Sequence, residues 1–223
     1  MKDRIFIIDG SSYLYRAYHA MPPLTASSGQ PTGAIKGVTN MLMTLKKESE
    51  GSPIIVTFDA KGKTFRSDIY EEYKANRPPM PDDLREQLAP LKEICKAIGF
   101  PLIEIEGVEA DDVIATLVKI AKENNFKSVI SSLDKDLMQL VEDPISSIMN
   151  TMTHQIFNEE KVFEKFGVKP SQIRDMLALV GDTSDNIPGV PKVGQKTAAK
   201  WLNQFGDLDG IRKNADSIKG VVG

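Results

Sequence analysis

Arg4-Ile5-Phe6-Ile7-Ile8-Asp9, an apolar run closed by an acid, reads as a strand buried on both faces. Three further segments have the same character: residues 53–59 (PIIVTFD), 101–106 (PLIEIE) and 127–132 (KSVISS). Between them, residues 33–49, 81–98 and 111–123 carry the apolar spacing of amphipathic helices, the second with proline at its start. Strands separated by helices predict an α/β fold with a mainly parallel central sheet flanked by helices. In such sheets the ligand site lies beyond the carboxyl ends of the strands. After about residue 160 the strand signal stops. The expected organisation is an α/β core over residues 1–160 and a helical region over 161–223.

Composition narrows the class. The 223 residues, 41% hydrophobic and 26% charged, suffice for a sizeable core and contain no apolar run long enough to span a bilayer. The opening Met-Lys-Asp-Arg runs straight into the first strand, so no secretory leader is expected. Cys95 is the lone cysteine, which suits a reducing cytoplasm, and its place among apolar helix positions predicts a buried, inert thiol. Charge needs sorting by position. The net charge of −3 is wrong for a nucleic-acid binder until nine clustered acids are set aside; 22 acids then face 28 bases.

Those nine acids stand where strands run out. Asp9 closes the first strand and Asp59 the second; Glu109, Asp111 and Asp112 (GVEADD) follow the third, and Asp134 and Asp136 (SLDKD) the fourth. Asp182 and Asp185 (GDTSD), three apart, can share one side of a turn. Singly, each acid is as readily a helix cap or turn residue; Asp111 can cap its helix and Asp134 can shape its turn. Together they repel and raise one another's pKa, and hard divalent cations with all-oxygen ligands, Mg²⁺ or Mn²⁺, relieve this. So many carboxylates point to two metal positions, roughly 4 Å apart in phosphodiesterases. His19 and His154, the two histidines, form no zinc set and no general-base pair.

Two basic stretches stand out. Residues 61–77 interleave Lys61, Lys63, Arg66, Lys74 and Arg77 with Phe65, Tyr70 and Tyr73, which suits single-stranded nucleic acid; a solvated amphipathic helix fits equally, since Asp68, Glu71 and Glu72 dilute the charge. Residues 187–194 (IPGVPKVG) followed by a helix over 195–205 read as a helix–hairpin–helix spanning about 184–205. Gly189 and Gly194 let backbone N–H groups approach a phosphate, with Lys192, Lys196 and Lys200 adding charge; a plain turn between helices is the alternative. Such a motif grips duplex backbone without reading bases. Trp201 and Tyr13 are expected in the core.

The stretches Ile8–Ala17 (IDGSSYLYRA), Phe58–Arg66 (FDAKGKTFR), Tyr73–Pro81 (YKANRPPMP), Gly107–Asp112 (GVEADD) and Gly181–Val190 (GDTSDNIPGV) together resemble the 5′ nuclease domains of bacterial DNA polymerase I, in the flap endonuclease superfamily. The resemblance implies a central sheet, a helical arch over the active site (about 61–85) and two metals. It implies that Asp9, Asp59, Glu109 and Asp111 serve one metal and Asp134, Asp136, Asp182 and Asp185 the second, with Asp112 near both. Lys74 and Arg77 are implied as catalytic cations over the scissile phosphate, beside the acids Asp111 and Asp134. Arg16, Lys63, Arg66 and Tyr73 join them as DNA contacts, with Gly189, Lys192, Gly194 and Lys196 on the duplex. A K⁺ ion in the hairpin is also implied.

The implied activity is metal-dependent hydrolysis at 5′ flaps, nicks and 5′ ends of DNA and at RNA primers, in replication and repair. A monomer, cytoplasmic and nucleoid-associated, is expected, fused to a polymerase. Two departures stand out. Leu133 replaces the family's glycine before Asp134, so the Asp134 loop is expected to differ. The chain also stops at Gly220-Val221-Val222-Gly223, ahead of the usual helical tail, which implies a fragment with reduced DNA affinity. Rival readings are a stand-alone flap nuclease, a ribonuclease with a similar sheet, and a branched-DNA binding module whose metal site has decayed. The hairpin argues against the ribonuclease and the nine acids against decay.

Overall fold

A computed structural model describes residues 3–218; the chain ending at Gly220–Gly223 lies outside the described residues. The order begins β1 (Arg4–Asp9), α1 (Gly10–Ala20), α2 (Gly33–Glu48), β2 (Ile54–Thr57), α3 (Phe65–Ile69) and α4 (Asp82–Ile98). It continues β3 (Leu102–Ile103), α5 (Ala110–Glu123), β4 (Lys127–Ser131), β5 (Ser146–Met149), β6 (Ile156–Phe157) and α6 (Glu159–Phe166). Then follow α7 (Ile173–Val180), β7 (Gly181–Asp182), β8 (Ile187–Pro188), α8 (Gln195–Phe205) and α9 (Leu208–Lys213).

Six strands form one sheet in the order β3-β2-β1-β4-β5-β6, parallel except for the antiparallel β5–β6 pair. The chain builds outward from β1 through β2 to β3, then crosses to β1's other side with β4. The boundary between β1 and β4 is therefore the topological switch point, where helices on opposite faces leave a crevice at the strands' carboxyl ends.

Burial on both faces explains why β1 is apolar through its middle. Ile7 points into a core shared with Ile114 of α5, Ile130 and Ile148, while Phe6 and Ile8 point into a second core with Leu14, Val38, Leu42 and Leu91 of α1, α2 and α4. Helices cover both faces, so Ile5 to Ile8 are all apolar and polar groups are confined to the strand's two ends, Arg4 and Asp9. Cys95 is buried in the second core, and burial pushes its thiol up to about 11, so it is inert as expected. Tyr13 is likewise buried, its hydroxyl sharing a 2.8 Å hydrogen bond with Ser131, and Trp201 packs partly buried against the first core.

Four features depart from the sequence reading. Helix α1 was not expected, because its polar start (Gly10, Ser11, Ser12) hides a helix whose first turn Asp9 caps, accepting from Ser12 N at 2.9 Å. β5 and β6 went unread because SSIM and IF are too short and too polar to carry a periodicity. Strands also recur after residue 160, since β7 and β8 form a two-residue antiparallel pair below any detectable pattern. Finally, the expected arch at 61–85 is helical only over α3 and the start of α4. Lys74 has a left-handed backbone (φ 57°), and Pro78, Pro79 and Pro81 forbid a continuous helix between them.

Candidate metal centre and active site

Each acidic group reaches the crevice by a different local device. Asp9, 5% exposed, is held by Ser12 N and by Ser132 Oγ at 2.7 Å. Asp59 accepts from Ser11 Oγ at 2.7 Å and from Ala110 N at 2.9 Å, which ties the end of β2 to the start of α5. Asp134 does shape its turn, accepting from Asp136 N at 2.8 Å, and its own N–H binds Ser132 Oγ. Ser132 thus links Asp9 of the first strand to the loop after the fourth.

The helix-cap alternative holds for a different residue than expected. Asp111 does not cap α5; Glu109 is its N-cap, and Asp112 one turn on closes the capping box, its Oδ2 accepting from Glu109 N at 3.0 Å. Arg66 clamps the same carboxylate at 2.6 and 2.8 Å, which holds Asp112 below the usual carboxylate range. Asp112 is therefore a structural member of the cluster, and Arg66 is engaged with it rather than free for a phosphate.

Seven of the eight remaining acids line two adjoining hollows, and Asp182 sits beside the second. Asp9, Asp59, Glu109, Asp111 and Asp134 line one, together with Lys74 and Arg77. Glu109 and Asp111 also line the other, with Asp136 and Asp185. Carboxylate oxygens of Asp136, Asp182 and Asp185 lie within 4.8 Å of one another. Asp134 thus sits with the Asp9 group, whereas the resemblance assigned it to the second metal. Crowding raises the carboxyl pKa values. Burial first, then Asp134, Asp9, Asp59 and Glu109, push Asp111 up to about 8. Burial and neighbouring acids likewise raise Asp9 and Asp136 to about 6. Asp136 Oδ1 is buried with no hydrogen-bond partner, an arrangement that costs energy unless a ligand satisfies it. An all-oxygen, multiply anionic donor set with an unpartnered buried oxygen fits hard divalent cations.

Cations from the arch foot enter the same space. Lys74 Nζ lies 2.7 Å from Glu109 Oε1, and Arg77 Nη2 lies 2.5 Å from Asp185 Oδ1. The Tyr73 hydroxyl donates to Glu109 at 3.0 Å and Asp185 at 2.9 Å; burial and these anions push its phenol far above the ordinary range. Backbone bonds fix this foot: Lys74 N donates to Asp185 O, Arg77 Nε to Ser184 O, and Asn186 Nδ2 to Glu72 O. Lys135, which the sequence reading passed over, places Nζ 3.1 Å from Asp182 Oδ2. Its position inside SLDKD was the available signal, as was that of Ser132 beside it.

Other expected contacts spread outward. Arg16 donates to the Thr151 carbonyl and is partly buried, so it supports the β5–β6 turn. Lys63 is exposed on the loop before α3, and Lys192 and Lys196 are exposed around the start of α8. The two hairpin glycines differ. Gly189 packs backbone to backbone on Val180, where a Cβ would come within 2.2 Å of the carbonyl carbon, while Gly194 faces open space before α8. Leu133 is not among the residues with a left-handed backbone, so leucine is unstrained there, and it lines the first hollow. His154 pairs with Glu48 at 2.8 Å, away from the acids.

A parallel sheet with its switch-point crevice lined by carboxylates, and cations reaching in from a flanking loop, is an α/β architecture whose site suits divalent cations and a phosphate. More narrowly, residues 4–167 match the model of the 5′–3′ exonuclease N-terminal resolvase-like domain and residues 168–222 that of the 5′–3′ exonuclease C-terminal SAM fold. The chain belongs to the 5′–3′ exonuclease family. It is 47% identical over 215 residues to a 5′–3′ exonuclease of Aquifex aeolicus, covering 96% of this chain and 74% of that protein. It is 56% identical over 202 residues to DNA polymerase I of Pseudomonas aeruginosa, covering 91% of this chain but only 22% of that protein. Among solved structures, a bacteriophage T5 flap endonuclease pseudo-enzyme–product complex with DNA and metal ions superposes with a TM-score of 0.82 at 26% identity, covering 98% of this chain and 80% of that one. Among the described residues, no helix is long and apolar enough to cross a membrane.

Proposed function

We propose that this chain is a structure-specific 5′ nuclease that hydrolyses phosphodiester bonds at 5′ flaps, nicks and 5′ ends of DNA, and at RNA primers, in replication and repair. The observation that carries this reading is the meeting of seven carboxylates besides Asp112 in two adjoining hollows, with Asp182 beside the second and Lys74 and Arg77 lining the first. Two Mg²⁺ or Mn²⁺ ions suit the donors: Asp9, Asp59, Glu109, Asp111 and Asp134 would hold one, Asp136, Asp182 and Asp185 the other. Such ions, when bound, supply Lewis-acid activation of water and phosphate.

The chain's own groups do the rest. Lys74 and Arg77, fixed by backbone bonds to the Asp182–Asn186 loop, offer positive charge where a phosphate gains negative charge. Ser11, Ser132 and Ala110 N orient Asp59 and Asp9, so the oxygens are aimed before substrate arrives. Tyr73 bridges Glu109 and Asp185 and keeps the two hollows in register. The exposed Lys192 and Lys196, with the uncrowded Gly194, suit sequence-blind contact with duplex phosphates. A K⁺ ion in this hairpin, a monomeric protein, a polymerase joined to it in the same polypeptide and a cytoplasmic, nucleoid-associated location complete the proposal.

The test is cleavage of a 5′-labelled flap duplex with Mg²⁺ and with chelator. Short 5′ products that require the metal support the reading. Binding of the flap without cleavage at saturating Mg²⁺ would overturn it in favour of a DNA-binding module.

A further inference from the structure

Beside the acid cluster lies an apolar cleft that the proposed mechanism does not use. One wall is Ile69 and Tyr70 at the end of α3; the other is Ile187 and Pro188 of β8; Asp136 and Asp185 lie at its floor. Ile69 is 78% exposed, and the five-residue α3 buries no residue at all. Sequence physics gives no reason for a free isoleucine, a half-exposed tyrosine and Ile187 to face one another across solvent. The walls are not free to drift. Asn186 Nδ2 to Glu72 O at 2.7 Å and Lys74 N to Asp185 O at 2.9 Å staple the stretch after α3 to the β7–β8 loop.

We propose that this cleft receives a nucleobase of the 5′ strand being cut, close to the scissile phosphate; the inference rests on the nuclease reading above. The floor acids belong to the oxygen cluster that would hold the cations, so the cleft opens beside the place where the scissile phosphate is proposed to bind. The occupant must be flat and apolar on its faces, free of negative charge next to two carboxylates, and tethered to an anion. A nucleobase meets all three conditions, and an acidic peptide fails the second. Ile69, Ile187, Pro188 and Tyr70 offer stacking and dispersion, and the polar groups of Arg66 and Tyr73 that also line the cleft are already bonded to Asp112, Glu109 and Asp185, so the cleft would accept every base alike. That matches an enzyme that reads branch structure and not sequence.

Single-turnover cleavage tests this with wild type, Ile69→Ala and the Ile69→Ala/Ile187→Ala double variant, all changes at exposed positions outside the catalytic set. Substrates are 5′-flap duplexes, intact or with one abasic residue at either of the two nucleotides on the 5′ side of the cut. Stacking of one base in an open cleft predicts that wild type slows by roughly 5- to 10-fold on one abasic substrate. The double variant should cut the intact substrate at that same reduced rate and lose nothing further when the base is removed. Independent, multiplying losses, or a variant as sensitive to the abasic site as wild type, would overturn the proposal. So would a wild-type dimer in sedimentation that the double variant disrupts while abasic sensitivity persists, since a second copy would then fill the cleft. No Mg²⁺-dependent cutting of any substrate by wild type would instead sink the nuclease reading itself.

Discussion

Replacing Asp111 by asparagine should make the metal-free protein more stable while destroying its activity. The Asp111 carboxyl is pushed up to about 8 by burial and by Asp134, Asp9, Asp59 and Glu109. In an unfolded chain the same group ionises near its ordinary value of roughly 4. Between those two values the folded state keeps a proton that the unfolded state has released, so stability is complete at low pH and drains away as pH rises towards about 8. Each unit of displacement corresponds to about 1.4 kcal/mol. Asp9 and Asp136 are raised to about 6 and share the same repulsion, so the whole displacement does not belong to Asp111 alone. A gain of about 2 kcal/mol for Asp111→Asn at pH 8 is a fair expectation, equal to a Tm increase of roughly 4–8 °C for a chain of this size. Thermal melts in chelator at roughly pH 3.5 and pH 8 measure it: the gain should be present at pH 8 and nearly absent at roughly pH 3.5, below the ordinary carboxyl value where both states carry the proton. With Mg²⁺ the wild type should recover stability by binding, the variant should recover less, and flap cleavage should vanish while duplex affinity stays. A variant that is less stable at pH 8, or that differs from wild type equally at both pH values, would refute the idea that these carboxylates strain one another.

Three further outcomes follow from specific contacts. Gly189→Ala should cost about 1–3 kcal/mol in urea denaturation, because its Cβ would meet the Val180 carbonyl, whereas Gly194→Ala should leave stability within about 0.5 kcal/mol; the reverse ranking would contradict the packing. Lys196→Ala should weaken duplex binding and lower the slope of log K against log salt by about one, with metal-dependent cleavage of saturating substrate retained; an unchanged slope would remove Lys196 from the interface. Gln87, 2% exposed, accepts from Ala34 N at 2.8 Å and Ile35 N at 3.2 Å, capping α2 from α4. Gln87→Leu should therefore cost about 1–3 kcal/mol by chemical denaturation, and a neutral effect would show the cap to be dispensable.

What could be read without coordinates was whatever rests on short-range chemistry. An Ile- and Val-rich run between helices can only be a strand buried on both faces, so β1, β2, β3 and β4 and the helices α2, α4 and α5 were legible to within a few residues. The acids were legible too, because a carboxylate at the end of an apolar strand has no place in the core and must mark the edge. Arg66 misled for the opposite reason. A sequence states its charge and not its partner, and only the fold brings Asp112 to 2.6 Å from it.

Composition and periodicity alone determined an α/β protein with an acidic edge, since burial and backbone pairing act residue by residue. Tertiary structure decided how the acids divide, that Asp134 joins Asp9, that Asp112 closes the capping box of α5 and that Lys135 faces Asp182. It also brought residues 69 and 187 to opposite walls of one cleft. Those facts depend on contacts between residues far apart in the chain, and such contacts form only after every strand has taken its place in the sheet.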